Sequence, residues 1–525
     1  MSEKKELTRA AGVVGSATLL SRILGFIRDM VIASFFGAGL SADAFFVAFR
    51  IPNLLRRLFA EGSLTVAFIP VFTEYLAGRG RKDALELAGS VFHLLSLILT
   101  AVTLLGILFA PLIVRVMAPG FALSAEKYEI TVLLTRIMFP YIFFIGLVAL
   151  SMGILNALGH FAAPALAPVF LNLAMIFSIF TLSSVFEKPV VALAIGVLIG
   201  GALQLALQIP FLLRKGFHFW KKAPWRHPAI KRIGLLMMPA VLGSAVYQVN
   251  ILVGTLLASL LAEGSISYLY YADRLVQFPL GVFAIAVGTA VLPSLSRQAA
   301  ADDMDAMQDT FAYALRFVFF ITIPAMIGLI VLRVPIIELL FKRGAFDAET
   351  TRLTADALLY YALGLWAFSG VRVVVSTFYA LQDTKTPVKV ACLSMLANIG
   401  LSLLLMGPMR HGGLALATSL SSMLNLILLV WFLKKRLGRI GAGSILKSAA
   451  ISSAASVLMG CGIWLFVGMT GLEGETDFIR LIFYVGLSVL GGVAIYGGLS
   501  FVFKSRELAA VAGMIGDRLR GAEKS

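Results

Sequence analysis

Apolar runs of roughly 20 residues recur from end to end of the chain, parted by short polar connections, and this pattern sets the fold class. A run of that length, wound as a helix, crosses a hydrocarbon core of about 30 Å. Inside lipid every backbone polar group must be paired within the protein, so only helices or a closed barrel can span, and these runs lack the alternation of barrel strands. About fourteen spans are expected, over residues 12–36, 45–74, 86–117, 130–156, 162–184, 190–213, 233–262, 267–296, 310–340, 354–380, 388–407, 412–433, 447–469 and 479–503. The expected class is an all-α polytopic membrane protein.

Composition agrees with the pattern. Of 525 residues, 59% are hydrophobic and 14% charged, against about 25% charged in soluble domains, and no segment is left over for a soluble domain. Residues Met1 to Arg9 are short and charged and the first apolar run contains arginines, so no cleavable signal is expected. Basic residues fall in connections of one parity: Lys4, Lys5 and Arg9, then Arg79, Arg81 and Lys82, then Arg214 to Arg232, Lys434 to Arg439 and Lys504 to Lys524. The other parity holds chiefly Lys342 and Arg343. By the positive-inside rule both termini face the cytoplasm. The net charge of +16 then reflects topology and anionic headgroups, with membrane lipids as partners; nucleic acid is not expected, since no basic soluble domain exists to bind it. Cys392 and Cys461 sit in apolar spans and say little of the redox compartment.

An internal repeat organises the chain. Adding 223 carries Ala157, Leu158 and Pro164 onto Ala380, Leu381 and Pro387, Ala192 to Ala194 onto Ala415 to Ala417, and Pro70 onto Pro293. Two parallel lobes follow, related by an axis along the membrane normal. They are an N-terminal lobe at 1–215 with spans one to six, a cytoplasmic basic linker at 216–232, and a C-terminal lobe at 233–440 with spans seven to twelve. Residues 441–525 add spans thirteen and fourteen and a cytoplasmic tail. The last two spans are rich in Gly, as at Gly460, Gly462, Gly491 and Gly492, which suits either two ordinary lipid-facing helices or a groove for a long hydrocarbon tail.

Charge inside this lipid-like stretch is the chemical signal. Residues Ser21 to Ser63 hold Arg22, Arg28, Arg50, Arg56 and Arg57 against Asp29, Asp43 and Glu61. An ionised side chain at bilayer depth costs roughly 2.5 to 3.5 kcal/mol on insertion scales, so such residues face a bundle interior or a wet cavity. Guanidinium groups lining a central cavity suit an anion, phosphate above all, because the planar fork bonds two oxygens at once. Arg22 and Asp29, seven apart, share a helical face, and Gly25 permits a bend that could turn Arg28 the same way. Arg57 and Glu61 can pair at i and i+4, leaving Arg56 with no local acid. Arg50 and Arg57 read equally well as snorkelling or neutralised side chains. Asp43 at the outer mouth of the second span suits a gate partner or a helix cap, and Asp273 beside Arg274 orients it or balances its charge. No nucleotide-binding glycine loop, H-E-x-x-H or Cys/His cluster is present, and His93 and His160 read as core residues, so no catalytic residue is assigned and an enzyme is not expected.

At this point the motifs resemble a known family. Ser21 to Asp29 (SRILGFIRD), Gly37 to Phe49, Pro52 to Gly62 (PNLLRRLFAEG), Ala118 to Phe121, Tyr270 to Leu275 (YYADRL) and Asp383 to Lys389 are together similar to the MurJ (MviN) family of lipid II flippases, within the multidrug/oligosaccharidyl-lipid/polysaccharide exporter superfamily. The resemblance covers most of the chain. It implies fourteen spans, residence in the bacterial cytoplasmic (inner) membrane, and movement of lipid II, the undecaprenyl-diphosphate-linked precursor of peptidoglycan, from inner to outer leaflet. It also implies that Arg22, Arg28, Arg56 and Arg274 bind substrate and that Asp29, Asp43, Glu61 and Asp273 are gating or charge partners. Alternating access between the two lobes is the expected mechanism.

No cofactor is expected. A sodium site linked to the family would fall on Asn250 and Asp383, but Tyr379 stands where a second oxygen ligand is wanted, so the coupling ion, Na+ or H+, or the membrane potential in its place, stays open. Cell-wall synthesis machinery is an expected partner. Two alternatives remain beside lipid II: a flippase for another lipid-linked oligosaccharide, or a drug or ion antiporter of the same superfamily, which a cationic cavity disfavours.

Overall fold

The computed structural model describes residues 3–57, 64–221, 224, 227–472, 474, 477–510 and 513, and among these no strand occurs. The helices of the first half are α1 Glu3–Phe36, α2 Leu40–Leu55, α3 Leu64–Gly78, α4 Arg81–Leu108, α5 Ala110–Met117, α6 Ala125–Met138, α7 Tyr141–Ala157, α8 Ala162–Leu182, α9 Val190–Arg214 and α10 Pro228–Ser259. The second half holds α11 Ser265–Pro279, α12 Ile285–Ala300, α13 Met304–Val331, α14 Arg333–Phe341, α15 Ala348–Ala362, α16 Leu365–Ala380, α17 Lys385–Leu437, α18 Ala442–Thr470 and α19 Phe478–Val502. The chain is thus an all-α polytopic membrane protein. Among the described residues nine helical segments are long and apolar enough to cross a bilayer, or ten when α15 and α16, bent by 41°, count as one crossing. The 53-residue α17 counts once there, although Arg410, at φ 51° and ψ −133°, divides it into two helices.

Backbone proximity divides the chain into two units, Met1–Ser267 and Tyr268–Ser525. The division falls inside α11, beyond the basic connection at 216–232 on which the sequence reading divides the lobes, because α10 packs on α3 and α5. In the first unit α8 lies against α1 and α9, and α7 against α3, α4 and α9. The α8–α9 approach depends on small residues. A Cβ at Gly196 would lie 2.9 Å from the Cα of Met175, and one at Gly200 would lie 2.6 Å from Leu171 Cδ1. Helices in lipid gain little from hydrophobic burial between them, so such close backbone packing supplies the attraction instead.

In the second unit α13 is central, in contact with α12, α16 and α18, while α16 packs on α17 and α19 on both α18 and α14. Gly460 and Gly492 serve this packing, since a Cβ would meet Ile327 Cγ2 at 2.6 Å and Ile463 Cδ1 at 2.8 Å. Gly491, Gly497 and Gly498 have nothing within 4 Å, so the glycine content of α18 and α19 is only partly explained by contacts within the unit.

The 223-residue offset holds through the secondary structure. Adding it carries α4 onto 304–331, the bounds of α13, and α9 onto 413–437, the second part of α17. It carries α1 onto 226–259, α2 onto 263–278, α6 onto 348–361 and α8 onto 385–405, each within a few residues of α10, α11, α15 and the first part of α17. Two copies of one helical plan therefore run in tandem, followed by α18 and α19.

Candidate functional site

Arg28 sits in mid-α1 with 7% of its surface exposed, beside Asp29 at 2%. Its Nε and Nη2 donate to Asp29 Oδ1 at 3.0 and 2.6 Å, and its Nη1 donates to Asn172 Oδ1 of α8 at 3.0 Å. The other end of that amide is used as well: Asn172 Nδ2 donates to the Ser21 carbonyl at 3.1 Å. Asn172 thus bridges two turns of α1 and sets the guanidinium between them. α1 continues as one helix through Gly25, and Gly25 faces the amide, with a Cβ position 3.5 Å from Asn172 Nδ2. Arg28 therefore reaches its partners from an unbroken helix. Arg22 is exposed and makes no hydrogen bond or ion pair among the described residues. Asp29, on the same helical face, pairs with Arg28 and not with Arg22.

Arg56 follows the last residue of α2. Its Nε and Nη2 donate to Asn53 Oδ1 at 3.1 and 2.9 Å, so a neutral amide stands where no acid was found in the sequence. Glu61, and with it the Arg57–Glu61 pair, lies outside the described residues. In the second unit Arg274 of α11 donates from Nη2 to Tyr270 Oη at 2.8 Å and stacks 4.9 Å from the centroid of that ring. Asp273 accepts from Gln277 Nε2 at 3.4 Å.

Asp43, at 1% exposure, accepts four hydrogen bonds. It does not cap its own helix. Oδ2 accepts from Lys127 Nζ of α6 and from Gly264 N, both at 2.8 Å, and Oδ1 accepts from Ser267 N at 3.0 Å and Ser267 Oγ at 2.7 Å. The carboxylate thereby caps the start of α11, whose free N–H groups and positive dipole end attract an anion. Gly264, at φ +88°, supplies the turn that aims its N–H there. Lys127 also lies 4.3 Å from the centroid of Phe121. Next to Phe121, Gly120 N donates to Ser259 Oγ at 3.3 Å, and a Cβ at Gly120 would collide with the Ser259 carbonyl. The Ala118 to Phe121 motif is therefore a seat for the end of α10.

The two sodium candidates lie in different units, Asn250 in α10 and Asp383 in the turn before α17. Asp383 caps α17, accepting from Thr386 N at 3.0 Å and Thr386 Oγ1 at 2.7 Å, and pairs with Arg436 Nη1 at 2.8 Å. Burial works against this carboxylate, yet the Thr386 bonds and Arg436 together hold it below the usual range. Among the described residues no group of three His, Cys, Asp or Glu side chains is arranged to hold a metal ion.

Asn172 and Lys127 were not legible as site residues in the sequence. Asn172 resembles any isolated amide in an apolar span, and Lys127 one cation near a helix start. The available signal was the repeat. Arg28, Asp29, Asn172 and Asp43 correspond at the 223 offset to Ile251, Leu252, Met395 and Ile266, so the polar set belongs to the first copy alone.

Comparison with known proteins places these features in a family. The family model described as "Lipid II flippase MurJ" matches residues 32–484. A probable lipid II flippase MurJ of Vibrio cholerae is 43% identical over 432 residues, 81% of this chain and 82% of that one. A lipid II flippase MurJ of Burkholderia cenocepacia is 36% identical over 479 residues, covering 89% and 92%. Among solved structures, a lipid II flippase MurJ in an inward closed conformation superposes with a TM-score of 0.79 at 31% identity, over 93% of this chain and 98% of that one. An inward-facing multidrug transporter of the MATE family shares the fold at a TM-score of 0.67 and 15% identity, over 82% and 98%. The chain belongs to the MurJ family of lipid II flippases.

Proposed function

We propose that this protein flips lipid II from the inner to the outer leaflet of the bacterial cytoplasmic membrane by alternating access, with Arg22, Arg28, Arg56 and Arg274 receiving the diphosphate. The observation that carries the reading is the buried Arg28, held by acceptors that a diphosphate can replace oxygen for oxygen. Asp29 and Asn172 keep the cation satisfied between substrates; the diphosphate takes their place, and Asp29 reclaims the guanidinium on release. Exposed Arg22, one to two turns away, supplies a charge without a competing partner. The polyprenyl tail stays in lipid while the polar head travels.

The Asp43 cluster suits the outer gate. Its bonds tie α2 and α6 to the start of α11, and parting them frees α11 to move. The two repeats are the bodies that rock, both termini lie in the cytoplasm, and the energy comes from an ion gradient or the membrane potential. Cell-wall synthesis enzymes would receive the product.

The test is leaflet accessibility of labelled lipid II in cells depleted of this protein and then resupplied with it. Recovery of outward labelling is expected. If labelling stays inward while another lipid-linked oligosaccharide moves, the lipid II assignment falls.

A further inference from the structure

The first unit contains an apolar cleft of about 240 Å³ between α4 and α10, backed by α7 and the facing ends of α2 and α3, where Leu55 precedes Arg56. Its walls are helical stripes: Val91, Leu95 and Ile98 on α4, and Ile230, Ile233 and Met237 on α10, at the spacing that puts residues on one face. The cleft persists because α10 packs on α3 and α5, and because Gly234 has nothing within 4 Å. Its α10 wall lies within the first ten residues of that helix, roughly 3 to 14 Å along the axis from its start at Pro228. Its α4 wall, Val91 to Val102, lies roughly 15 to 32 Å along from Arg81, so with both helix starts on the cytoplasmic side the cleft runs from the inner leaflet toward the bilayer centre.

The neighbouring surface is cationic and interfacial. Lys82 at the foot of α4, Lys231 at the foot of α10 and Lys221 in the connection are exposed, and no Asp or Glu occurs from 188 to 262. In that connection Phe217 and Phe219 pack against Phe92 of α4, with ring centroids 6.0 and 5.1 Å away, which fixes the segment against the bundle. Trp220, 69% exposed, follows directly, as an interfacial anchor would.

We infer that this cleft holds one acyl chain of an anionic phospholipid of the cytoplasmic leaflet, its phosphate seated on Lys82, Lys221 and Lys231. Charge complementarity selects the occupant: a zwitterionic lipid carries its own cation beside the phosphate, whereas an anionic headgroup meets a surface on which Arg79, Arg81, Lys82, Lys221, Lys231 and Arg232 outnumber Glu74, Asp83 and Glu86. The cleft borders Arg56 at Leu55 but makes no use of the arginines, and the proposal stands whether or not they bind a diphosphate.

Full-length protein in phosphatidylcholine vesicles containing a phosphatidylglycerol with a photoreactive group on its acyl chain tests this. Adducts are expected in residues 91–102 and 230–237, competed by unlabelled phosphatidylglycerol but not by phosphatidylcholine. The triple variant K82Q/K221Q/K231Q should lower their yield roughly tenfold. Gly234→Leu, whose Cβ would meet nothing within 4 Å, should lower it by occupying the cleft. Equal labelling by a photoreactive phosphatidylcholine, or full yield in the triple variant, would overturn the proposal. Competition by undecaprenyl phosphate at lower concentration than phosphatidylglycerol would overturn it too, by making the carrier lipid the occupant.

Discussion

The guanidinium of Arg28 is bonded at three nitrogens, with Asp29 and Asn172 among its partners, and each of these can be altered without touching the arginine. Asn172→Leu keeps the bulk but removes the amide from Arg28 Nη1 and from the Ser21 carbonyl. A loss of about 1 to 3 kcal/mol is expected in detergent unfolding, with slower flipping. Asp29→Asn removes the competing charge while preserving shape. Tighter binding of a diphosphate headgroup, roughly three- to tenfold, and slower turnover are expected, because the acid that would reclaim the arginine is gone. Binding and turnover that fall together would mean that Asp29 only orients Arg28. The arginines were legible because their intramembrane cost makes them conspicuous. Asn172 was not, since the contact spans 144 residues and an uncharged amide is less conspicuous in an apolar span than a guanidinium.

At the scale of elements, the start of α11 and the start of α17 show how single carboxylates place helices. Asp43 joins α2, α6 and α11, and Lys127 is its one side-chain cation among the described residues. Asp43→Asn should weaken the cluster and loosen the start of α11, read as faster labelling of a cysteine placed at Ser267; unchanged labelling would count against the proposed gate role and leave Asp43 a structural cap. Asp383 makes a pH-dependent contribution. Its carboxyl is depressed in the folded protein, so its stabilisation is present above the ordinary value of 3.8 and is lost as pH falls through the lower folded value. The stability difference between the protein and Asp383→Asn, about 0.5 to 2 kcal/mol at neutral pH, should therefore shrink only below pH 3.8. Helix positions were largely legible from the apolar runs. The break at Arg410 falls in the gap between the expected spans 388–407 and 412–433, whereas the short helices α5 and α14 were folded into longer spans, because apolar periodicity does not register a change of backbone direction.

For the whole molecule, the two copies share helix bounds but not polar chemistry. Matching α4 with α13 and α9 with the end of α17 shows a common plan, while Arg28, Asp29 and Asn172 face Ile251, Leu252 and Met395 in the alignment of the copies. A scaffold requirement would act on both copies. A polar set present in one copy alone, despite the cost of burying charge, is what the proposed diphosphate binding calls for. The direct measurement is flipping of labelled lipid II by protein reconstituted in liposomes, comparing the natural chain with Arg28→Ala and Arg274→Ala at matched insertion. Loss of flipping in each variant by at least roughly a hundredfold, with partial return in Arg28→Lys, is the predicted result. Flipping at the natural rate in either alanine variant would contradict the account.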